Sequence, residues 1–253
     1  MAKAIVKGLV SSNFEAELYG YDLNKNGYEI LQECGVKLLE SANELVELCN
    51  FVVLAVKPQN MVEVLQQIKP SFEESKVVVS IAAGISEEFV ASILGDQMKF
   101  VRVMPNTPLL LSCGAIAISR GRKISEEQFD FVKKMFETGG VVCPIEEEQM
   151  NDIIAINGSS PAFIYLFAKG FLNFAKKRGI KPEVALKLFC ASLVGSAAML
   201  EKGNKSIDSL IADVSSKGGT TIAGLSVLEE FKLTEIVEKT CEKTAARAVE
   251  LAN

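Results

Sequence analysis

Up to about residue 143, short apolar runs alternate with amphipathic stretches, the pattern of strands linked by helices in an open α/β sheet. The expected strands are 17–21, 51–55, 77–81, 100–104, 115–119 and 140–143, running parallel, with helices at 42–48, 61–68, 87–94 and 126–136. From Asn151 onward the two-residue alternation disappears. Phe163, Leu166, Phe167, Gly170, Phe171 and Phe174 recur at helical spacing, and Ile236, Val237, Thr240, Cys241, Thr244, Ala245, Ala248 and Val249 trace another stripe. Residues 185–200 are apolar nearly all round, and a helix without a polar face must be covered on every side. A helical domain of about a hundred residues cannot easily provide that cover, so a second copy of the chain is expected to do so. The expected division is 1–150, a Rossmann-type domain, and 151–253, an all-helical domain for self-association, with the boundary at 149–152.

The 253 residues are 49% apolar and 23% charged, the profile of a soluble globular protein. A formal charge of −5 with scattered Lys and Arg argues against a nucleic-acid surface. The uncharged run 188–200 spans 13 residues and reads as a buried helix, since a membrane span needs about 18 or more. No basic-then-apolar leader opens the chain, and the six cysteines form no C-x-x-C pair, so a reducing cytoplasmic setting is expected. Histidine is absent, which removes Ser-His and Cys-His nucleophile schemes and the usual zinc sets; no metal site is expected.

Candidate chemistry concentrates at Ser215-Ser216-Lys217-Gly218-Gly219-Thr220-Thr221-Ile222. Adjacent glycines, hydroxyls and a following apolar run make a helix N-terminus whose amides can hold a carboxylate, or a plain helix cap. At the other end, residues 1–10 already read as the first helix of the sheet domain, with Ala4, Ile5, Gly8 and Leu9 on its inner face. The strand and G-x-G-x-x-G turn that precede such a helix are missing. Either a start about ten residues upstream or a damaged copy accounts for this, and the upstream start is expected. Without that strand, the strands on either side lose their shared neighbour. Asp22 closes the second strand of the usual order, where an acid binds a ribose 2′-OH and hints at NADH over NADPH; it reads equally as a turn residue with Lys25 close by.

Six collinear segments together resemble pyrroline-5-carboxylate reductase: MAKAIVKGL (1–9), AVKP (55–58), VSIAAGIS (79–86), RVMPNTP (102–108), NGSSPAF (157–163) and SSKGGTTIAGLSVLEE (215–230). The resemblance implies a Rossmann domain followed by an interleaving helical domain, and hydride transfer from NADPH or NADH to the C=N carbon of 1-pyrroline-5-carboxylate, giving L-proline. An imine carbon is already electrophilic, so the protein mainly positions donor and acceptor and stabilises charge, which suits a chain without imidazole. By the same resemblance, Gly218, Gly219 and Thr220 cradle the substrate carboxylate beside Ser216, and Thr221 bonds the ring nitrogen, although Thr221 as a mere helix cap stays open. Ala55, Val56, Lys57 and Pro58 line the cofactor, Lys57 being equally readable as a solvated charge. Asn106 and Thr107 face the nicotinamide, and Ala82, Ala83 and Gly84 pack against the dinucleotide, or serve a tight strand-to-helix turn. The chain departs from the family at Lys217, where proline is common, at Asn157, often serine, and at 203–209, which lacks a His-Pro-Gly. Rival readings are a truncated, non-catalytic paralogue that dimerises or binds a proline-like ligand, and a related imine or β-hydroxyacid reductase.

Overall fold

The computed structural model describes residues 1–252. The chain forms two compact units, 1–161 together with 241–252, and 162–240, so the boundary expected at 149–152 falls inside the first. The first unit begins with α1 (Ala2–Ser11), β1 (Tyr19–Gly20), α2 (Tyr28–Glu33), β2 (Lys37–Leu38), α3 (Ala42–Leu48) and β3 (Phe51–Leu54). It continues with α4 (Met61–Ile68), β4 (Val77–Ser80), α5 (Glu87–Leu94), β5 (Lys99–Met104), β6 (Gly114–Arg120), α6 (Glu126–Glu137) and β7 (Gly140–Pro144).

Strands β3-β4-β5-β6-β7 make one sheet in that order, and β1-β2 pair separately in parallel. Among the described residues no strand joins β1 to β3, the consequence expected of a missing shared neighbour. Strands β1 and β2 are short, and their ends are tied by side chains: Tyr19 Oη and Lys37 Nζ both donate to the Glu17 carboxylate, at 2.6 Å and 3.2 Å. The Tyr19 hydrogen bond first, then Lys37, holds the Glu17 carboxyl below its ordinary range. The short elements α2 and β2 carry no periodicity long enough to read from sequence.

One expectation is overturned. Strands β3, β4 and β5 are parallel, but β6 runs antiparallel to β5, with Met104 opposite Ala117 and Val101 opposite Arg120; β7 then pairs parallel with β6. Nine residues, 105–113, separate β5 from β6. A parallel crossover needs about a dozen or more, so this connection can only return antiparallel.

The sheet buries both faces. On one, Ala4, Ile5 and Leu9 of α1 and Val132 and Phe136 of α6 cover Val77, Val79, Val101 and Val103. On the other, Val46, Leu65 and Val90 from α3, α4 and α5 cover Val52, Leu54, Val78 and Phe100. Strand β4 is buried along its whole length, hence its unbroken apolar run. Serines start the helices: Ser41 accepts from Glu44 N–H and Ser86 from Phe89 N–H, and Ser125 and Gln128 form a reciprocal capping box on α6.

Arg102, only 2% exposed, sits in β5 between Val101 and Val103. Its guanidinium donates to Glu147 Oε1 at 2.9 Å and to Asn151 Oδ1 at 2.6 Å, while Ser119 Oγ of β6 donates to the other Glu147 oxygen. A buried cation is tolerable only when paired, so this cluster fastens residues 147–151 to the sheet.

The second unit comprises most of α7 (Ser160–Lys177), then α8 (Pro182–Lys202), α9 (Ile207–Asp213), α10 (Thr220–Glu230) and the first turns of α11 (Leu233–Ala252). Phe167 and Phe171 of α7 meet Phe189 of α8, the closest pair of rings between the helices being Phe171–Phe189 at 4.7 Å. As expected of a helix whose own domain cannot cover it, α8 stays open in the single chain: Leu188, Val194, Met199 and Leu200 are each more than half exposed. The other helices of the unit leave every residue of α8 at least partly open.

Replacing Glu147 with Ala leaves the Arg102 charge buried without its carboxylate and is expected to cost about 3 kcal/mol of stability, read from the denaturant midpoint. A loss below about 0.5 kcal/mol would show the pair to be dispensable.

Candidate functional site

Because β3, β4 and β5 are parallel neighbours in register, their carboxyl ends lie side by side, Leu54 beside Ser80 and Ser80 beside Arg102. Three of the candidate segments leave from this edge: 55–58 after β3, 81–84 after β4 and 105–107 after β5. This is the edge at which open α/β sheets receive ligands.

Each segment is shaped by its own chemistry. Leu54 is the last residue of β3, so Ala55 and Lys57 stand exposed in the loop, and Pro58 opens a 3₁₀ turn whose cap is Lys57. After β4, Ala82 N–H donates to Ser80 Oγ at 3.3 Å, Ala82 and Gly84 are buried, and Gly84 adopts φ 78°, a left-handed conformation in which a Cβ is strained. The turn therefore does need a small residue, as the simpler reading of that segment held. After β5, Asn106 is 6% exposed and Thr107, exposed, begins the 3₁₀ turn Thr107–Leu111. Asn106 accepts from Ala115 N–H at 3.0 Å and donates to Asn157 O at 3.1 Å.

Asp22 follows β1, in the two-stranded sheet that is not paired with β3–β7. Its Oδ1 accepts from Asn24 N–H at 2.9 Å, and Tyr28 Oη donates to the Asp22 carbonyl at 2.7 Å. The side chain thus does serve as a turn residue. Gly27, at φ 94°, lies against the Lys3 ammonium; a Cβ there would be strained by the left-handed backbone and would push the lysine aside. That places a cation from α1 at the 22–27 loop, which sequence spacing did not reveal.

In the second unit, Ser216 O accepts from Gly219 N–H at 2.9 Å, Gly218 takes φ 73°, and Gly219 is the N-cap of α10. A glycine cap has no side chain to satisfy the first turn. The first helical bond into this end is Ala223 N–H to Gly219 O at 3.4 Å, leaving the amides of Thr220, Thr221 and Ile222 without an acceptor among the described residues. The hydroxyls of Thr220 and Thr221 cap nothing, so the alternative in which Thr221 only closes its helix is not the geometry seen. What results is a positive helix end with free N–H groups, exposed hydroxyls and Lys217 adjacent, chemistry of the kind that suits an anion.

Sequence reading missed Asn157, Arg102, Glu147 and Asn151. Asn157 alone left a trace, as a departure from the expected serine; the others become partners only when β5 meets residues 147–157.

Residues 147–251 match a family model described as pyrroline-5-carboxylate reductase dimerisation, and residues 1–84 match one described as NADP oxidoreductase, coenzyme F420-dependent. The chain is 31% identical over 256 residues to pyrroline-5-carboxylate reductase of Corynebacterium melassecola, covering 99% of this chain and 95% of that one. It is 32% identical over 233 residues to the Escherichia coli K12 protein of the same name, covering 91% and 87%. Among solved structures it superposes on 1-pyrroline-5-carboxylate reductase of Streptococcus pyogenes with TM-score 0.90, at 31% identity, covering 99% and 95%. The Plasmodium falciparum pyrroline carboxylate reductase with NADP bound gives 0.89, at 27% identity, covering 99% and 94%.

The two glycines of the 216–219 turn carry different constraints. A Cβ on Gly219 would stand 2.6 Å from Ser216 Oγ and 2.9 Å from its carbonyl oxygen, whereas one on Gly218 meets nothing but must adopt a left-handed backbone. Gly218→Ala is accordingly expected to cost about 1–2 kcal/mol, checked by urea unfolding. No loss would show that the turn relaxes freely.

Proposed function

The chain belongs to the pyrroline-5-carboxylate reductase family, and on that footing we propose that it reduces 1-pyrroline-5-carboxylate to L-proline with NADPH or NADH. The observation that carries the site assignment is the N-terminus of α10, with three amides and the hydroxyls of Ser216, Thr220 and Thr221 uncommitted. Substrate carboxylate sits in the turn formed by Gly218, Gly219 and Thr220 with Ser216 beside it, taking the free N–H groups at the start of α10 while the Gly219 N–H stays bound to Ser216 O, and Lys217 adds attraction for an anion. Thr221, second in the helix, gives or takes a hydrogen bond at the ring nitrogen as that atom goes from imine to amine.

The carboxyl edge of β3, β4 and β5 fits a dinucleotide. Gly84 and the small side chains of Ala82 and Ala83 let a ring approach the backbone, and the buried Asn106 amide holds its turn rigid without using Thr107. Residues 55–58 and 82–84 would line the cofactor, Asn106 and Thr107 the nicotinamide end, and Asp22 keeps its second carboxylate oxygen for a ribose hydroxyl. When bound, the reduced dinucleotide supplies the hydride to the imine carbon. The protein's part is to orient the imine, hold its charge and exclude water, for which none of these residues needs an imidazole.

The family model over 147–251 is a dimerisation model, and the exposed apolar side chains of α8 lie within it. Self-association through the helical residues covers them, with no part for nucleic acid or membrane. The six cysteines are all free thiols, in keeping with a cytoplasmic setting.

Thr221→Ala is expected to lower kcat/KM for pyrroline-5-carboxylate about 10- to 100-fold, the worth of one hydrogen bond to a charged group, while Thr221→Ser keeps most of it. Unchanged turnover in Thr221→Ala would remove this residue from the reaction. Independently, Val194→Glu, at a position 72% exposed in the single chain, is expected to shift a self-associated protein toward monomer in light scattering. An unchanged mass would place the interface elsewhere.

A further inference from the structure

Continued past Met104 and Ala117, the antiparallel register of β5 and β6 would set Asn106 opposite Ala115. Pro105 has no N–H, and main-chain pairing stops. Side-chain amides carry it on. Asn106 Oδ1 takes the Ala115 N–H at 3.0 Å, while Asn157 Nδ2 donates to Ala115 O at 3.0 Å and to Met104 O at 2.7 Å. The Asn157 carbonyl in turn accepts from Asn106 Nδ2 at 3.1 Å. One residue from outside the sheet therefore holds the last carbonyl of β5, the Ala115 carbonyl of β6, and the side chain that begins the 106–107 turn.

Two further observations single out Asn157, which is 7% exposed. It lies in a π-helical turn, Ile154–Gly158, closed by Ser159 N–H to Ile154 O at 2.8 Å, a geometry that recurs at functional positions. With both Nδ2 protons committed to carbonyls, its Oδ1 is buried with no donor among the described residues. A buried orphan acceptor is tolerated here because the amide is oriented to serve the two strands. Serine at this position has one proton to give and could hold one carbonyl but not both.

We propose that Asn157 is a positioning residue for the nicotinamide end of the site: it sets where Asn106 and Thr107 stand, and through them the affinity and orientation of the dinucleotide. The assignment rests on the reading of residues 106–107 as nicotinamide contacts.

The test titrates NADH and NADPH into wild type, Asn157→Ala, Asn157→Ser and Leu65→Ala, following the fluorescence of the reduced nicotinamide below each variant's melting temperature. Leu65 is fully buried in α4 and serves as a purely structural comparison. Asn157→Ala is expected to weaken the better-bound dinucleotide about tenfold and to lower kcat by a similar factor, with the KM for pyrroline-5-carboxylate within about twofold. Asn157→Ser should recover part of both. Leu65→Ala should lose Tm without losing dinucleotide affinity. The proposal is overturned if both Asn157 variants bind as wild type does, if Leu65→Ala weakens binding as much, or if wild type binds neither dinucleotide. A wild type that binds dinucleotide but leaves pyrroline-5-carboxylate unreduced refutes the substrate reading alone, and the titration still decides the role of Asn157.

Discussion

The end of β5 is the constraint on which the first unit depends. Its last carbonyl is followed by a proline, its return strand must reverse direction within nine residues, and Met104, Gly114 and Ile116 are buried there while Ala115 between them is exposed. Buried main-chain groups that lose their ladder partners cost free energy unless something replaces them. Asn106 and Asn157 are that replacement. Two residues earlier on the same strand, Arg102 requires Glu147 and Asn151 for the same reason, now with a full charge at stake. Both demands are met by one stretch of chain, 147–157, which is thereby held on the sheet. Met150 and Ile154 from that stretch then pack with Met104, Ala117 and Ala248, completing the core between the two sets of polar contacts.

A chain without histidine has few ways to move protons, and the candidate site is consistent with a reaction that asks little proton transfer of the protein. The features observed are main-chain amides at a helix end, hydroxyls without internal partners, small residues at strand ends and a turn held from behind. Such features orient and stabilise charge; they do not generate nucleophiles. The N-terminus of α10 illustrates the economy: by using Gly219 as the cap, the first turn leaves its donors available where Ser or Asp at that position would consume one.

The second unit poses the opposite problem. Its longest helix, α8, has no buried residue in the single chain, although the helix is apolar enough in length and composition to suit a membrane interior. A stripe of that width exposed to water is unfavourable by the ordinary area argument, and a second copy of the same helical surface is the cover that a dimerisation family implies.

Much of this was legible along the chain. Helices α3, α4 and α5 begin and end where their apolar spacing places them, with capping serines at the start of α3 and α5, because those signals are local. The β4 run reads as a buried strand for the same reason, and the turn before α10 announces itself through adjacent glycines whose conformations are local as well. The resemblance of six short motifs added which ligands such segments hold. What the sequence could not contain was partnership across distance. Nothing near Asn157 says that its amide will close the ladder between residues 104 and 115, and nothing near Arg102 names Glu147. The direction of β6 follows from the length of one loop, but only once its neighbour in the sheet is known. Short-range geometry and capping are determined by residues a few positions apart. Which buried polar groups must satisfy one another is decided when strands and crossing segments are brought together, and that belongs to the tertiary structure alone.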